Sequence, residues 1–465
     1  MIHFDEVFDV IVIGSGLAGL AAAKEARDAG CSAVMLEKLD RYGGNSVLAG
    51  GGLASWDSRL HLWKALGTGE DSPELMSADA LRSGRGKNVP ALVDTLSANA
   101  PAAVDWMMDA GVKFREVLFH MGGQTVPRSY QCEGNGKNMM DDVKAWVLAS
   151  GAELRLGHRV TELLTESGRV TGVRCETADG TLCLGARRGV VLASGGFAAD
   201  VALRLEYTDI GEAYNCSNHP DATGEMLRCA RELGAQLVNM EYIQLFPCSN
   251  PVTGSVDRWA LAAYAGAGAG AIYADGSGRR FVNELEGRDV VSDAQISRCE
   301  KPTWAIFNDH VIETVDLSPA DAERGIRFGR MVQANSVAEL AEKLGMEPGV
   351  LRQTVDDHNA FLRGETETDP FGKPRSELMQ PLVDGEPIYA INQWPSVHFT
   401  MGGILTDCGA RVLRDDGSVI PGLYAAGEVC GGVHGANRLA GYALTECVVF
   451  GRLAGQNAAA EPAFF

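Results

Sequence analysis

The sequence lacks the cysteine spacings that hold metals or haem. It has 11 cysteines, an odd number, and none of them stands in a CxxC or CxxCH arrangement. We therefore expect reduced thiols, no disulfide framework, no zinc site and no covalent haem. Its N-terminal residues show neither a signal peptide nor a twin-arginine signal, and no apolar run is longer than residues 259–273. These absences predict a cytoplasmic protein without a transmembrane segment.

Basic residues are few as well. The chain carries 41 Lys and Arg against 61 Asp and Glu, a net charge of −20. Because binding to nucleic acid needs a basic face, nucleic acid is excluded as a partner. An acidic small molecule is still a possible substrate, since one pocket can be locally basic. The 465 residues predict one large domain or two, with a sizeable core.

A dinucleotide-binding pattern stands near the start of the chain. An apolar run at residues 9–13 predicts a buried parallel strand, a glycine loop follows it, and residues 20–29 have the composition of a helix. Such a loop brings backbone N–H groups and a helix N-terminus to a pyrophosphate. A second strand at residues 33–36 ends at Glu37, which would hold a ribose hydroxyl and repel a 2′-phosphate. The loop residues are Gly14, Ser15, Gly16, Leu17, Ala18 and Gly19.

Further glycine-rich stretches favour FAD over NAD, because they offer more cofactor contact than NAD requires. They lie at residues 43–52, at 189–196 after another buried strand, and at 421–428. Residues 90–96 and 102–108 show helical spacing, residues 151–181 predict a β-meander inserted into a Rossmann-like domain, and a helix is expected to start near Gly441. Between about 241 and 396 the sequence changes character, with helices predicted at 336–344 and 348–362. The predicted fold class is α/β. A Rossmann-like FAD-binding domain, residues 1–241 and 397–465, would carry an inserted α+β substrate-capping domain, residues 242–396.

Three more stretches complete a recognisable pattern: RRFVNE with GRD at residues 279–289, VHFTMGG at 397–403, and GGVHGANRL at 431–439. Together with the glycine loop they resemble the flavoprotein family of fumarate reductases and succinate dehydrogenases. The soluble flavocytochrome c fumarate reductases resemble it most, in order and over nearly the whole chain. The resemblance implies a flavin subunit without the haem domain.

The resemblance also implies the FAD contacts. Members with covalent flavin carry a histidine near the position of Ser46, and none stands there in this chain, so we expect non-covalent FAD. Beyond the glycine loop and Glu37, the implied contacts are Lys38, Gly44, Asn45, Ser46, Gly50, Gly51, Val160, Ser194, Gly195 and Glu225, with Phe399, Glu428, Ala443 and Leu444 near the flavin.

Three side chains match the family's catalytic positions. Arg288 matches a proton-transferring arginine, and His398 and Arg438 match the pair that holds one substrate carboxylate. Met121 matches a position against the substrate. Reduction of an activated C=C bond needs a hydride from flavin N5, a proton and charge stabilisation, which these groups would supply. The alternatives are structural: Arg288 as an ion-pair partner of Asp289 or Glu284, His398 as a core histidine, and Arg438 as a clamp of the cofactor domain.

One departure from the family pattern bears on the substrate. Phe246 stands where the family has the histidine for a second carboxylate, no Thr-Glu pair follows near residue 257, and Tyr442 replaces a usual asparagine. Phe246 and Trp259 could therefore line an apolar slot. We predict an FAD-dependent oxidoreductase acting on CH–CH groups that reduces an unsaturated monoacid or enone with an apolar or aromatic tail.

Two other functions remain as alternatives. The enzyme could run as a dehydrogenase, resembling the tricarballylate or 3-ketosteroid dehydrogenases. A flavin-binding sensor or assembly factor is the non-enzymatic alternative, but such a protein needs none of Arg288, His398 and Arg438. The sequence does not identify the electron donor or acceptor.

Overall fold

The structure is a computed structural model that describes residues 2–315 and 317–465. They group into two compact units. The first contains the chain up to Gly211, then Asn218–Ile243 and Phe399–Phe465. The second contains Glu212–Ser217 and Gln244–His398.

The strands, numbered along the chain, are β1 Glu6–Ile13, β2 Ala33–Leu36, β3 Gly52–Ala54, β4 Phe114–Phe119, β5 Ser129–Cys132, β6 Glu153–Arg155, β7 Arg159–Glu166, β8 Arg169–Thr177, β9 Gly180–Leu192, β10 Leu237–Val238, β11 Ile243–Phe246, β12 Ile272–Ala274, β13 Thr303–Asn308, β14 Met331–Ala334, β15 Ile388–Gln393, β16 Ser396–Thr400, β17 Gly403–Ile404, β18 Arg411–Leu413 and β19 Val419–Ala425.

The α-helices are α1 Leu17–Asp28, α2 Leu62–Leu66, α3 Pro73–Ser83, α4 Pro90–Asp109, α5 Gly136–Ala149, α6 Val201–Leu205, α7 Glu225–Glu232, α8 Arg258–Gly266, α9 Arg288–Arg298, α10 Asp309–Thr314, α11 Pro319–Arg327, α12 Val337–Leu344, α13 Pro348–Leu362 and α14 Tyr442–Ala460. Short 3-10 helices occupy Gly44–Val47 and Ala267–Ala269.

The first unit is built on a sheet in the order β18-β19-β9-β1-β2-β6. β1 runs parallel to β2 and to β9, and β6 runs parallel to β2 at the edge. Residues 10–13 of β1 and all four residues of β2 are apolar and buried, as expected of central parallel strands covered on both faces. The predicted strand, loop, helix and second strand are all present, and α1 begins directly after the loop.

β9 pairs antiparallel with one neighbouring strand and parallel with another. Its first half pairs antiparallel with β8, which in turn pairs with β7, and its second half pairs parallel with β1. The meander predicted for residues 151–181 is therefore continuous with the parallel sheet. β6, which the sequence places in that meander, instead extends the main sheet beside β2.

Small residues let α14 lie directly on α1. A Cβ at Gly451 would overlap the backbone of Ala18, and a Cβ at Gly455 would overlap that of Ala22. α14 starts at Tyr442, and its N-cap Gly441 has a φ of +82°, a conformation that favours glycine. The helix start expected near residue 441 is confirmed.

α4 differs from its prediction as two separate helical segments, because it continues through Pro101. A proline has no N–H to give to the carbonyl four residues earlier. That carbonyl, on Ser97, instead accepts a hydrogen bond of 2.9 Å from the indole N–H of Trp56. The helix therefore keeps its course although one internal hydrogen bond is missing.

The second unit has a sheet in the order β12-β13-β15-β14, and all its pairs are antiparallel. α12 and α13 fall where the sequence predicts helices. The RRFVNE stretch is held by a buried ion cluster: Glu284 pairs with Arg280 at 2.8 Å and with Lys373 at 3.1 Å, and Asp369 pairs with Arg280 at 2.5 Å.

Within the described residues, no helix is both long and apolar enough to cross a bilayer.

Candidate active site

The glycine loop between β1 and α1 has the close contacts that its sequence implies. Gly14 has a φ of +104°, and a Cβ there would overlap the carbonyl oxygen of Ala193. A Cβ at Gly19 would overlap the carbonyl oxygen of Gly14. The N-terminal turn of α1 therefore packs tightly against the strand ends, as a pyrophosphate-binding turn requires.

Glu37 organises the loops around this turn. Its Oε2 accepts hydrogen bonds from the Ser15 N–H at 3.2 Å and the Ser15 hydroxyl at 2.6 Å, and its Oε1 accepts one from the Leu39 N–H at 3.1 Å. The Ser15 hydroxyl in turn accepts from the N–H of Gly43 at 2.9 Å. Glu37 thus fixes the glycine loop to the second glycine-rich segment, in addition to its expected role toward a ribose.

Ser46 links the same two segments in another way. Its hydroxyl oxygen accepts a hydrogen bond of 3.1 Å from the N–H of Leu17, the first residue of α1. One of the N–H groups that a helix N-terminus leaves without an intrahelical acceptor is therefore satisfied by the protein.

Two adjoining clefts, which share Gly14, Glu37 and Lys38 in their lining, run along this surface of the first unit. A cradle of glycines, helix N–H groups and a ribose-side acid fits an adenine dinucleotide such as FAD. The predicted contacts that line the clefts are Gly14, Ser15, Gly16, Leu17, Ala18, Glu37, Lys38, Gly44, Asn45, Ser46, Val160, Ser194, Gly195, Glu225 and Glu428.

Several lining residues were not predicted. They are Ile13, Leu36, Leu39, His158, Ala193, His219, Asp221, Ala222, Gly224, Met226, Ala426, Gly427 and Cys447. Most are neighbours of predicted contacts. His219 and Asp221 lie on a loop whose only local signals are Pro220 and Gly224, which mark a turn but no ligand. Asn45 holds this loop, because its Oδ1 accepts from the His219 N–H at 2.8 Å.

Lys38 and Glu225 lie in one of the clefts as an ion pair of 3.1 Å, and Glu225 also pairs with Arg159 at 3.2 Å. Burial raises the pKa of the Glu225 carboxyl, but Arg159 and Lys38 outweigh burial and hold that pKa below its ordinary value. Glu225 is the first residue of α7, where a carboxylate also favours the helix dipole.

The other predicted cofactor residues lie outside the lining of these clefts. Gly50 and Gly51 lead into β3, and the Gly51 carbonyl accepts from the Cys132 N–H at 3.1 Å. Gly19, in α1, packs against the glycine loop, and Ala443 and Leu444 lie in the first turn of α14. The contact of Phe399, Ala443 and Leu444 with the flavin remains a prediction.

Glu428 and Arg438 occupy the first unit near the cofactor segments. The Thr400 N–H donates to Glu428 Oε1 at 3.0 Å. Burial raises the pKa of Glu428 to about 7, against the hydrogen bond from Thr400 and the charge of Arg438. The Arg438 guanidinium lies 4.5 Å from the centre of the Phe399 ring. The His434 ring is inclined at 76° to the Phe399 ring, with the two ring centroids 5.3 Å apart.

In the second unit, a cation lies on an aromatic cluster. The Arg288 guanidinium is 4.9 Å from the centre of the Phe246 ring and 5.0 Å from that of Tyr264, and its Nη1 donates to Gln244 Oε1 at 3.3 Å. Phe246 also contacts the His398 ring, with centroids 5.1 Å apart. Arg288, His398 and Phe246, predicted separately, are brought together.

The alternative ion pair of Arg288 with Glu284 does not form, because Glu284 pairs with Arg280 and Lys373. The indole N–H of Trp259 donates to the Asp321 carbonyl at 3.0 Å. Its neighbour Arg258 forms an ion pair with Asp321. Whether Trp259 lines the substrate site remains a prediction.

Met121 belongs to the first unit, in the turn between β4 and β5. Its N–H donates to Gln124 Oε1 at 3.4 Å, and the Gln124 amide donates to the Ala440 carbonyl at 3.2 Å. This turn is thereby tied to the segment that precedes α14. Its role toward a substrate remains a prediction.

Tyr442, the residue that replaces an asparagine, closes a buried polar cluster. Its hydroxyl donates to the Met76 carbonyl at 3.2 Å and accepts from Arg128 Nη1 at 3.0 Å. Arg128 is fully buried and pairs with Asp71 at 3.1 Å and Asp79 at 2.9 Å. The sequence does not signal the cluster, because its members come from three separate stretches: residues 71–79 at the start of α3, Arg128, and Tyr442 at the start of α14.

Residues 9–444 match the family described as the FAD binding domain. The chain belongs to this family. The FAD cofactor and the oxidoreductase class predicted from the sequence are thereby confirmed, as is the resemblance to the fumarate reductase flavoproteins.

Curated relatives cover nearly all of the chain. It is 36% identical to the fumarate reductase (cytochrome) of Shewanella frigidimarina over 98% of this chain and 77% of that protein. It is 35% identical to the urocanate reductase of Eggerthella lenta over 97% of this chain and 74% of that protein. The NADH:fumarate oxidoreductase of Klebsiella pneumoniae is 34% identical over 97% of this chain, which spans only 48% of that relative.

Two solved structures share the fold. A flavocytochrome c3 fumarate reductase in an open conformation matches with a TM-score of 0.80 and 31% identity, over 98% of this chain and 78% of that one. The 3-ketosteroid-Δ4-(5α)-dehydrogenase of Rhodococcus jostii RHA1 matches with a TM-score of 0.76 and 25% identity, over 99% and 98%. The predicted α/β fold class is confirmed.

Proposed function

We propose that this flavoprotein reduces a C=C bond conjugated to a single carboxylate or carbonyl, on a substrate whose other end is aromatic or apolar. The observation that carries the proposal is the Phe246 ring. It is 1% exposed and lies against His398, Tyr264 and the Arg288 guanidinium. The family resemblance puts Phe246 where a histidine binds a second carboxylate, and these contacts support an aromatic environment there.

FAD, when bound along the clefts of the first unit, supplies the two-electron chemistry as hydride transfer from N5 to one alkene carbon. The chain's own residues supply the rest. Arg438 and a protonated His398 would hold and polarise the carboxylate or carbonyl, which favours charge developing on that group. Arg288 would give the proton to the other carbon.

The cluster around Arg288 suits a group that must keep its position while it exchanges a proton. Cation–π contact with Phe246 and Tyr264 holds the guanidinium, and each such contact contributes about 0.5 to 2 kcal/mol. Gln244 fixes one of its nitrogens. A free guanidinium resists deprotonation. Because Arg288 would give up one proton in each turnover, another group must then return a proton to it.

The same cluster sets the substrate preference. A second carboxylate placed against Phe246 would lose its hydration without gaining a donor, which costs several kcal/mol. An apolar or aromatic group would instead gain about 1.5 to 3 kcal/mol from burial. Arg258 does not supply a ready replacement cation, because it is paired with Asp321.

The relatives support a range of substrates within one chemistry. They include proteins named for fumarate, a diacid, and for urocanate, an acrylate that carries an aromatic ring. The group opposite the carboxylate therefore differs between members of this family. A ring at residue 246 favours the second kind of substrate for this chain.

The test follows the reoxidation of chemically reduced flavin under anaerobic conditions. Cinnamate, urocanate, an enone and fumarate are compared at equal concentration with the wild type and with Phe246→His. We expect the arylacrylates to reoxidise the flavin faster than fumarate in the wild type. The histidine variant should narrow that difference. Fumarate faster by tenfold or more in the wild type would contradict the proposal.

A dehydrogenase is the second candidate, because the R. jostii steroid dehydrogenase matches this chain over almost its full length. The same residues would then remove a proton and a hydride from adjacent saturated carbons. Oxidised protein is mixed with 3-phenylpropionate or a saturated ketone and an artificial acceptor dye. Faster turnover in this direction, at matched concentrations, would favour the dehydrogenase.

A further inference from the structure

His398 is held by a neighbour that lies far from it in sequence. The Ser217 hydroxyl oxygen lies 2.8 Å from His398 Nδ1. Both residues belong to the second unit, Ser217 at the end of the short segment Glu212–Ser217 and His398 at the end of the long one. The family pattern marks His398 but contains no signal for Ser217.

Ser217 is itself fixed by the residue next to His398. Its backbone N–H donates to the Val397 carbonyl at 2.8 Å, and its hydroxyl is 3.0 Å from the same oxygen. The Val397 N–H donates to the Asn215 carbonyl at 2.8 Å, so the segment pairs with β16 on both sides of Cys216. The hydroxyl therefore has a defined position beside the imidazole.

A hydroxyl suits this place because it can donate and accept. When His398 is protonated, Nδ1–H donates to the Ser217 oxygen, and the hydroxyl hydrogen goes to the Val397 carbonyl. When His398 is neutral with a bare Nδ1, the hydroxyl rotates and donates to that nitrogen. The Val397 carbonyl accepts from the backbone N–H of Ser217 in both protonation states of His398. The Nδ1 hydrogen bond survives each change of protonation.

We propose that Ser217 is a positioning residue for His398. It engages Nδ1 in both protonation states and thereby fixes the orientation of the ring that addresses the substrate's carboxylate or carbonyl. This inference rests on the proposed function, in which His398 holds that group.

The test compares Ser217→Ala and Ser217→Thr with a matched control. The control is Ser396→Ala, which removes a buried serine hydroxyl from β16, the strand that contains His398. That hydroxyl donates to the Ser249 hydroxyl at 2.6 Å and to the Gly254 carbonyl at 2.9 Å. Steady-state kinetics give KM and kcat with the best unsaturated acid. Histidine-selective ¹⁵N labelling reports the His398 nitrogens, which His398→Asn identifies among the nine histidines.

We expect Ser217→Ala to raise KM about tenfold, the effect of one lost hydrogen bond on a positioned group, and to shift the His398 Nδ1 signal. Ser217→Thr should restore both, and Ser396→Ala should change neither. An unchanged KM and Nδ1 signal in Ser217→Ala would overturn the inference. Equal losses in Ser217→Ala and Ser396→Ala would overturn it too, because that pattern indicates a structural role only.

The two arms separate this inference from the proposed function. If no unsaturated acid is turned over, the proposed function fails, while the ¹⁵N signals still decide whether Ser217 holds Nδ1. If Ser217→Ala does not fold, the wild-type spectrum decides. There, a His398 Nδ1 with the shift of a nitrogen that makes no hydrogen bond would overturn the inference.

Discussion

The Arg288 guanidinium lies over the Phe246 ring, 4.9 Å from its centre. By the family resemblance, one residue is the candidate proton donor and the other stands in place of a carboxylate-binding histidine. We therefore expect the choice of substrate and the transfer of the proton to depend on the same contact, and a substitution at either position to affect both.

Arg288→Ala is expected to lower turnover by roughly a hundredfold or more, the usual cost of a lost positioned proton donor, and to leave FAD bound. The FAD clefts lie in the first unit and contain no part of α9. Flavin absorbance after gel filtration and kcat on the best substrate measure the two effects. Arg327→Ala, which removes an exposed arginine stacked on Phe328, is the control. A near wild-type rate in Arg288→Ala would contradict the assignment.

FAD is expected to be bound non-covalently, one per chain, because no histidine stands near Ser46. Acid precipitation should release all of the yellow colour into the supernatant. Glu37→Ala should weaken FAD binding, since it removes the acceptor of Ser15 and Leu39. A loss of about ten- to a hundredfold in affinity matches one or two hydrogen bonds. Flavin retained in the pellet would refute the non-covalent prediction.

Tyr442→Phe is expected to lower the free energy of unfolding by about 1 to 3 kcal/mol, the cost of leaving buried polar partners unsatisfied. The lost hydroxyl serves both the Met76 carbonyl and Arg128. Urea unfolding followed by circular dichroism measures the change. Tyr207→Phe is the control, because its hydroxyl accepts only from an exposed Arg231. Equal stability of the two variants would show that the cluster contributes little.

The ion cluster of the second unit predicts a loss of stability in acid. Burial raises the pKa of Glu284, but Lys373 and Arg280 outweigh burial and lower it to about 2, below the ordinary 4.5. Because the folded-state pKa is the lower one, the stabilisation is complete above about pH 4.5 and is lost as the pH falls toward 2. It amounts to roughly 3 kcal/mol.

Urea midpoints at pH 6 and pH 3, read from tryptophan fluorescence, check this prediction. Glu284→Gln should be less stable at pH 6 and should lose less stability on acidification than the wild type. Glu377→Gln, an exposed acid of the same unit, should follow the wild type. An identical acid response of Glu284→Gln and wild type would remove Glu284 as its source.

The sequence predicted those parts of the fold whose signals are local. The glycine loop, Glu37, α12, α13 and the start of α14 have periodic or turn-forming residues, and the structure places them as expected. The pairing of Glu37 with Ser15 and Gly43 was not predictable, because hydrogen bonds between loops depend on the assembled sheet. The same holds for Arg128, whose carboxylate partners Asp71 and Asp79 carry no motif.

The site residues show the same division. The family pattern identified Arg288 and His398 as candidate site residues, and Phe246 was noticed because it departs from that pattern. The contact of all three within one cluster needed the structure. Ser217 was missed because its segment has no periodicity and no motif. Only its pairing with β16 brings it to His398.

The chain passes from the first unit to the second twice, once for Glu212–Ser217 and again for Gln244–His398. For protein engineering this means that the second unit cannot be exchanged as one continuous segment of the chain. A chimera that exchanges only residues 244–398 would keep the host's version of the short segment, and Val397 would meet foreign residues in place of Asn215 and Ser217. Recombination between relatives should preserve function only when both pieces come from the same parent.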